Sequence, residues 1–163
     1  MQVSELMNRA LITVATEDSV EEAVNLLHRR GVRHLLVMKK SRLVGIISDR
    51  DIKRAMDPRQ TKKKLMGIGG LYFLLEPTLV EEIMTPNPVT IGPDASVSHA
   101  AYIMVERRFG ALPVVQNGET VGIVTETDLL RCFAEEHMQA EPAPKPARVS
   151  KSSRKGSAAR ASR

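Results

Sequence analysis

The sequence predicts an α/β fold built from two small, similar halves and followed by a basic tail with no core of its own. Three observations carry that prediction. An ungapped internal repeat runs at a spacing of 77 residues, each copy alternates short β-branched runs with amphipathic helical stretches, and the C-terminal stretch offers almost nothing to bury.

Sliding the chain along itself by 77 positions pairs Val3 with Val80 and gives 15 identities over the 55 positions from Val3 to Asp57. They are Val3, Glu5, Met7, Thr13, Ser19, Val20, Ala23, Arg30, Leu35, Val37, Val44, Gly45, Ile46, Asp51 and Arg54. The hydrophobic rhythm is preserved between them. The repeat divides the chain into a first unit over 1–57, a linker over 58–77, a second unit over 78–136 and a tail over 137–163.

Each unit reads strand, helix, strand, strand, helix. The short runs Ile12 to Val14 and Val89 to Ile91 predict the first strand, and a turn then leads to Ser19 or Ser96. Ser19 and Glu22 have capping-box spacing, and Val20, Ala23, Val24 and Leu27 follow the helical stripe i, i+3, i+4, i+7. Val97, Ala100, Ala101 and Met104 repeat the stripe. Gly31 predicts a left-handed helix stop in the first unit, and with Arg108 at the equivalent place the second helix is expected to end differently. Two apolar runs follow in each unit, Leu35 to Met38 and Leu43 to Ile47, then Leu112 to Val115 and Val121 to Val124. They flank polar turns, of which Asn117-Gly118 is a strong hairpin signal. Closing helices start near Asp49 and Glu126. In the linker, the apolar run over 71–75 predicts a patch that must be buried against the other repeat or a second subunit.

Composition narrows the function classes. The chain has 163 residues, 42% hydrophobic, with only 3% aromatic and no Trp, so the core is aliphatic. The single cysteine, Cys132, cannot form an intramolecular disulfide, no secretory leader is evident, and charged residues interrupt every apolar stretch. A cytoplasmic location without membrane insertion is expected. The net charge of +5 belongs to the tail: from Glu141 onward seven basic residues face one acid, leaving 17 basic and 18 acidic residues before it. That tail, rich in Pro, Ala, Ser and Lys/Arg, is expected to be disordered. No Lys-Ser/Thr follows Gly67-Ile68-Gly69-Gly70 at phosphate-loop spacing, and the four histidines lack metal-ligand spacing. No metal or required cofactor is expected, and no enzyme is predicted.

Each unit ends its last strand with Gly, two β-branched residues, a hydroxyl residue, two variable residues and Asp: Gly45-Ile46-Ile47-Ser48-Asp49-Arg50-Asp51 and Gly122-Ile123-Val124-Thr125-Glu126-Thr127-Asp128. An acid three residues after a strand-end hydroxyl can accept hydrogen bonds from both hydroxyls of a ribose, and Ser48 or Thr125 can donate to ribose or phosphate. A Gly ahead of them allows close backbone approach. The same spacing is also that of a plainly capped helix. Two copies at the same repeat position favour ligand contact in at least one groove.

This pattern is similar to the signature of CBS domains, and two in tandem resemble a Bateman module. The resemblance covers about 1–57 and 78–136, with Val3 to Met7, Val80 to Met84, Pro88-Val89-Thr90 and Phe109 to Val115 in support. It implies two repeats packed as a pseudo-twofold pair, with pockets that combine the Asp signature of one unit with a wall from the other. By that resemblance Thr13 and Thr90 belong to the strand that lines an adenine pocket. Arg33, His34 and Leu35, with Gly110, Ala111, Leu112 and Pro113, supply the opposite walls, and Ser48, Arg50, Asp51, Thr125, Thr127 and Asp128 supply the ribose and phosphate side. His34 is either a pocket-rim residue or a phosphate contact. With Arg50, Lys53 and Arg54 nearby, the first site is expected to be the stronger anion site.

The function expected is that of a regulatory module that senses AMP, ADP, ATP or S-adenosylmethionine, forms a homodimer and signals by conformational change to a separate protein partner. The alternative is a nucleic-acid-associated protein in which the CBS pair is a dimerisation scaffold and the basic tail makes weak, nonspecific phosphate contacts.

Overall fold

In the computed structural model the described residues are 1–57, 65–68, 71–74 and 78–138. Of 65–68 and 71–74 only the backbone is described, so the expected burial of the apolar run at 71–75 lies outside the description, as does the expected disorder of the tail beyond 138. The elements run α1 (Val3–Leu6), β1 (Thr13–Ala15), α2 (Val20–Arg30), β2 (His34–Lys39), β3 (Arg42–Ser48) and α3 (Asp49–Ala55). A linker pair, β4 (Leu65–Ile68) and β5 (Leu71–Leu74), is antiparallel. Then come α4 (Val80–Ile83), β6 (Thr85–Pro86), α5 (Val97–Arg107), β7 (Ala111–Gln116), β8 (Glu119–Thr125) and α6 (Glu126–Met138).

Local chemistry explains most of these elements. Ser19 accepts from the Glu22 amide at 3.1 Å while Glu22 accepts from the Ser19 amide, which closes the expected capping box of α2. Both hairpins turn through two residues of positive φ, Lys40 and Ser41 in one and Asn117 and Gly118 in the other, the twist that a two-residue connection between strands requires. The helix ends are alike, contrary to expectation. Gly31 (φ 62°, ψ 30°) and Arg108 (φ 56°, ψ 39°) occupy the same left-handed cap, so the repeats differ there in side chain and not in backbone.

The first sheet has strand order β1-β2-β3-β6, with β1 parallel to β2. The equivalent first strand of the second repeat shrinks to one bridge, Ile91 with Val114. Proline chemistry gives the reason. In the first repeat the Leu36 amide donates to the Ile12 carbonyl at 3.1 Å, and the equivalent residue in the second is Pro113, which has no N–H. Only the bonds made by Ile91, to Pro113 and from Val115, remain.

The two repeats exchange their leading segments. Val3 and Met7, which precede the first repeat's own sheet, are buried in the second repeat's core with Ile91, Ala100, Met104, Leu112, Val114 and Val124. Val80 is buried in the first repeat's core with Val14, Ala23, Leu27, Leu35, Val37 and Ile47, and Ile83 and Met84 pack against it. The backbone bonds of the exchange obey the 77-residue shift: Val3 donates to Ala95 and Ser4 to Pro93, while Val80 donates to Asp18 and Glu81 to Thr16. The glycines of the two signatures seat this exchange. A Cβ on Gly45 would collide with Met84 Sδ, and one on Gly122 would stand 2.5 Å from Met7 Sδ. Their absent side chains therefore admit a methionine of the other repeat, where the sequence had suggested room for a ligand.

Gly122→Ala is expected to destabilise the protein by about 1–3 kcal/mol in urea unfolding, the usual cost of overpacking. In a Met7→Ala background that cost should shrink, and a double-mutant cycle showing no coupling would contradict the proposed seat.

Candidate ligand clefts

Two clefts lie between the repeats, and each draws its halves from both. In the first, Ile46, Ser48 and Asp51 of the first repeat face Pro88, Val89, Phe109, Gly110 and Ala111 of the second. In the other, Ile123, Thr125 and Asp128 of the second repeat face Ala10, Ile12, Val32, His34 and Leu36 of the first. Strand-end geometry puts the hydroxyl and the acid at the floor. Each last strand ends on its hydroxyl residue, and the next helix starts immediately, so the acid at its third position folds back over the strand end.

Each acid uses its two oxygens differently. Asp51 Oδ2 accepts from the Ser48 amide at 2.9 Å and the Ser48 hydroxyl at 2.6 Å, while Ser48 Oγ accepts from the Asp51 amide at 3.3 Å. Thr125 and Asp128 reproduce all three bonds at 2.9, 2.6 and 3.3 Å. The hydroxyl and the acid thus cap the helix, and that arrangement leaves room for the ligand expectation. Oδ2 closes the helix, and among the described residues Oδ1 has only a loosely placed cation, Arg54 at 3.9 Å in one cleft and Arg131 at 3.8 Å in the other. The hydroxyl protons of Ser48 and Thr125 are already given to the acids. These two residues hold the carboxylates in place and do not present the free donors that the sequence suggested.

The family model of the CBS domain matches residues 3–58 and 80–135. The chain belongs to the CBS domain family. Over 134 residues it is 33% identical to a CBS domain-containing protein of Dictyostelium discoideum, covering 78% of this chain and 88% of that one. It is 37% identical over 130 residues to an inosine-5'-monophosphate dehydrogenase of Korarchaeum cryptofilum, covering 79% of this chain. The match spans only 23% of that enzyme's length. Among solved structures, the CBS domain pair of protein MJ0100 in complex with 5'-methylthioadenosine and S-adenosyl-L-methionine aligns with a TM-score of 0.69 at 29% identity, over 83% of this chain and 98% of that one. CBSX2 in complex with AMP aligns at 0.65 and 28% identity, over 83% and 97%.

Within this CBS pair the predicted site residues separate by strand alternation. Arg33, His34, Ser48, Arg50, Asp51, Gly110 and Ala111 line the first cleft, and Arg33, His34, Thr125, Thr127 and Asp128 line the second. Leu35 and Leu112 do not reach either cleft: both are fully buried, because they point to the core faces of β2 and β7. Pro113 is buried in β7 and does not line a described cleft, although its counterpart Leu36 does. Thr13 faces a separate depression with Asp18 and Glu22, and Thr90 is exposed outside both clefts. The neighbours Ile12 and Val89, one residue earlier, take the wall positions instead. Sequence reading also passed over Arg107 and Arg108 as cleft residues. Only their position after α5, beside the Phe109-Gly110-Ala111 wall, could have signalled them.

His34 sits where the two clefts meet. A Cβ on Gly110 would lie 2.8 Å from its Nε2, so imidazole and glycine are in direct contact across the repeats. Burial, and then the Arg33 guanidinium, hold its pKa below the usual imidazole value; Asp49, Asp51 and Glu126 pull the other way without prevailing. The ring is thus neutral near pH 7. The unfolded chain's imidazole binds a proton at higher pH than the folded one, so this residue makes stability fall as pH drops through about 6.5. Urea midpoints should decline between pH 7.5 and 5.5, and His34→Gln should flatten part of that decline; parallel profiles would contradict the assignment.

Proposed function

We propose that this CBS pair is a regulatory module that holds an adenosine-containing ligand in the clefts between its repeats and signals to a separate protein through the change in their relative disposition. The observation that carries the reading is the unspent Oδ1 of Asp51 and Asp128, each set in a cleft opposite an apolar wall from the other repeat. A ribose offers two vicinal hydroxyls to such an oxygen, and the wall of Pro88, Val89 and Phe109, or of Ala10, Ile12 and Val32, offers a base the apolar surface it needs. That structurally similar CBS pairs bind AMP, or 5'-methylthioadenosine and S-adenosyl-L-methionine, supports adenosine as the shared element. AMP, ADP, ATP and S-adenosylmethionine are the candidates.

The role proposed is one of binding: Oδ2 of each cleft acid is committed to a hydroxyl and a helix end, which leaves Oδ1 to meet a ligand. Cytoplasmic residence goes with this reading, and no described helix is long and apolar enough to cross a membrane. The nucleic-acid alternative rests on the tail, which lies outside the described residues.

Isothermal titration with the four candidates is expected to detect at least one. Asp51→Asn and Asp128→Asn should each weaken binding in their own cleft by about 1.5–3 kcal/mol, the worth of a hydrogen bond to a charged group. Unaltered affinity in both variants would remove the basis of the reading.

A second copy of the chain is proposed as the partner for the exposed apolar face of α5 and α6, where Tyr102, Val105, Leu130 and Phe133 are each at least 60% accessible. The equivalent positions in the first repeat are Asn25, His28, Lys53 and Met56, so the face belongs to the second repeat. Sedimentation should show a dimer that Leu130→Glu with Phe133→Glu converts to a monomer; a wild-type monomer would exclude it.

A further inference from the structure

Most positions that line the second cleft have their counterpart under the 77-residue shift in the first, and the two clefts differ in charge at several of them. Where the second cleft has Gly31 and Thr127, the first has Arg108 and Arg50. Arg107, Arg54 and Arg33 line the same cleft, so five guanidiniums from the end of α5, from α3 and from the start of β2 border one space. The side chains of Arg50, Arg107 and Arg108 make no hydrogen bond or ion pair with any described residue. Of the three carboxylates lining that space, Asp49 is held by Lys53 at 3.1 Å, Asp51 is committed through Oδ2 to Ser48, and Glu126 stands beside Gly110.

In the second cleft Arg131 lies 3.8 Å from Asp128, as Arg54 lies 3.9 Å from Asp51 in the first, so the contrast rests on the other arginines. Arg33 reaches into the second cleft to donate to Thr127 Oγ1 at 2.5 Å. Arg108 carries a further sign. It stands at a left-handed helix cap (φ 56°) where glycine is the unstrained choice and where the first repeat uses Gly31. A strained backbone position occupied by a guanidinium without a partner, on the rim of a cleft, fits a ligand-binding function and not a folding one.

We propose that the clefts divide their ligands by charge. The first takes a nucleoside di- or triphosphate, whose extended anion the Arg50, Arg107 and Arg108 side chains neutralise. The other takes a nucleoside with at most one phosphate. This inference rests on the adenosine reading above, since Asp51 is the group that fixes the ribose and thereby aims the phosphates at the arginines. Guanidinium is suited to the task because its planar fork pairs with phosphate oxygens two at a time.

Titration of the full chain with adenosine, AMP, ADP and ATP tests it. Affinity in the first cleft, isolated in an Asp128→Asn background, should rise with phosphate number. Replacing Arg50→Thr and Arg108→Gly together, the residues found at the corresponding places of the second cleft, should lower the ratio of ATP to adenosine affinity at least tenfold and flatten the salt dependence of ATP binding. Because Arg108→Gly relaxes the helix cap, the variant should remain folded, which circular dichroism verifies. Adenosine and ATP binding with equal affinity, or a ratio unmoved by the double replacement, would overturn the division by charge while leaving the adenosine reading intact. If the wild-type chain bound none of the four, both would fall.

Discussion

Everything in this molecule depends on the reciprocal exchange of leading segments. Val3 and Met7 complete the second core, and Val80 with Met84 completes the first, so neither repeat buries its apolar surface without the other. Val3, Met7 and Val80 are buried and Met84 is partly buried; the three buried side chains contribute several kcal/mol in all, at about 1.5–3 kcal/mol each. The clefts follow from that arrangement. Because the exchange fixes each repeat against its sister, the strand end of one repeat is brought opposite the wall of the other, and neither cleft exists within a single repeat.

The differences between the repeats are graded on this common frame. Pro113 removes a single sheet bond and reduces one strand to a bridge, yet the core residues around it stay buried. Arg33 and His34 occupy the places that Gly110 and Ala111 hold in the other copy, so at these places the wall of one cleft carries long polar side chains where the wall of the other carries none larger than a methyl. A duplicated scaffold has thus kept its floor and changed its rims.

Much of the fold was legible because its signals are local. The capping box at Ser19 and Glu22, the Asn117-Gly118 turn and the two helical stripes each depend on residues within a few positions, and the 77-residue repeat doubled every one of them. The paired hydroxyl and acid were legible for the same reason. What sequence could not show was direction: strand alternation sends Leu35 and Leu112 inward and puts Ile12 and Val89 where Thr13 and Thr90 were expected. Nor could it show that Gly45 and Gly122 face methionines far away in the chain, since that contact exists only after the segments cross. Arg108 was read as a departure from a helix stop, although the backbone adopts the stop regardless.

The doubled duty of each signature carboxylate bears on how such a groove meets an incoming molecule. An acid whose rotamer is fixed by its own helix has already lost its torsional freedom when the chain folds, so none remains to be surrendered on association. The receptor side of the encounter is stiff before contact, and the entropy that is lost comes mainly from the visitor.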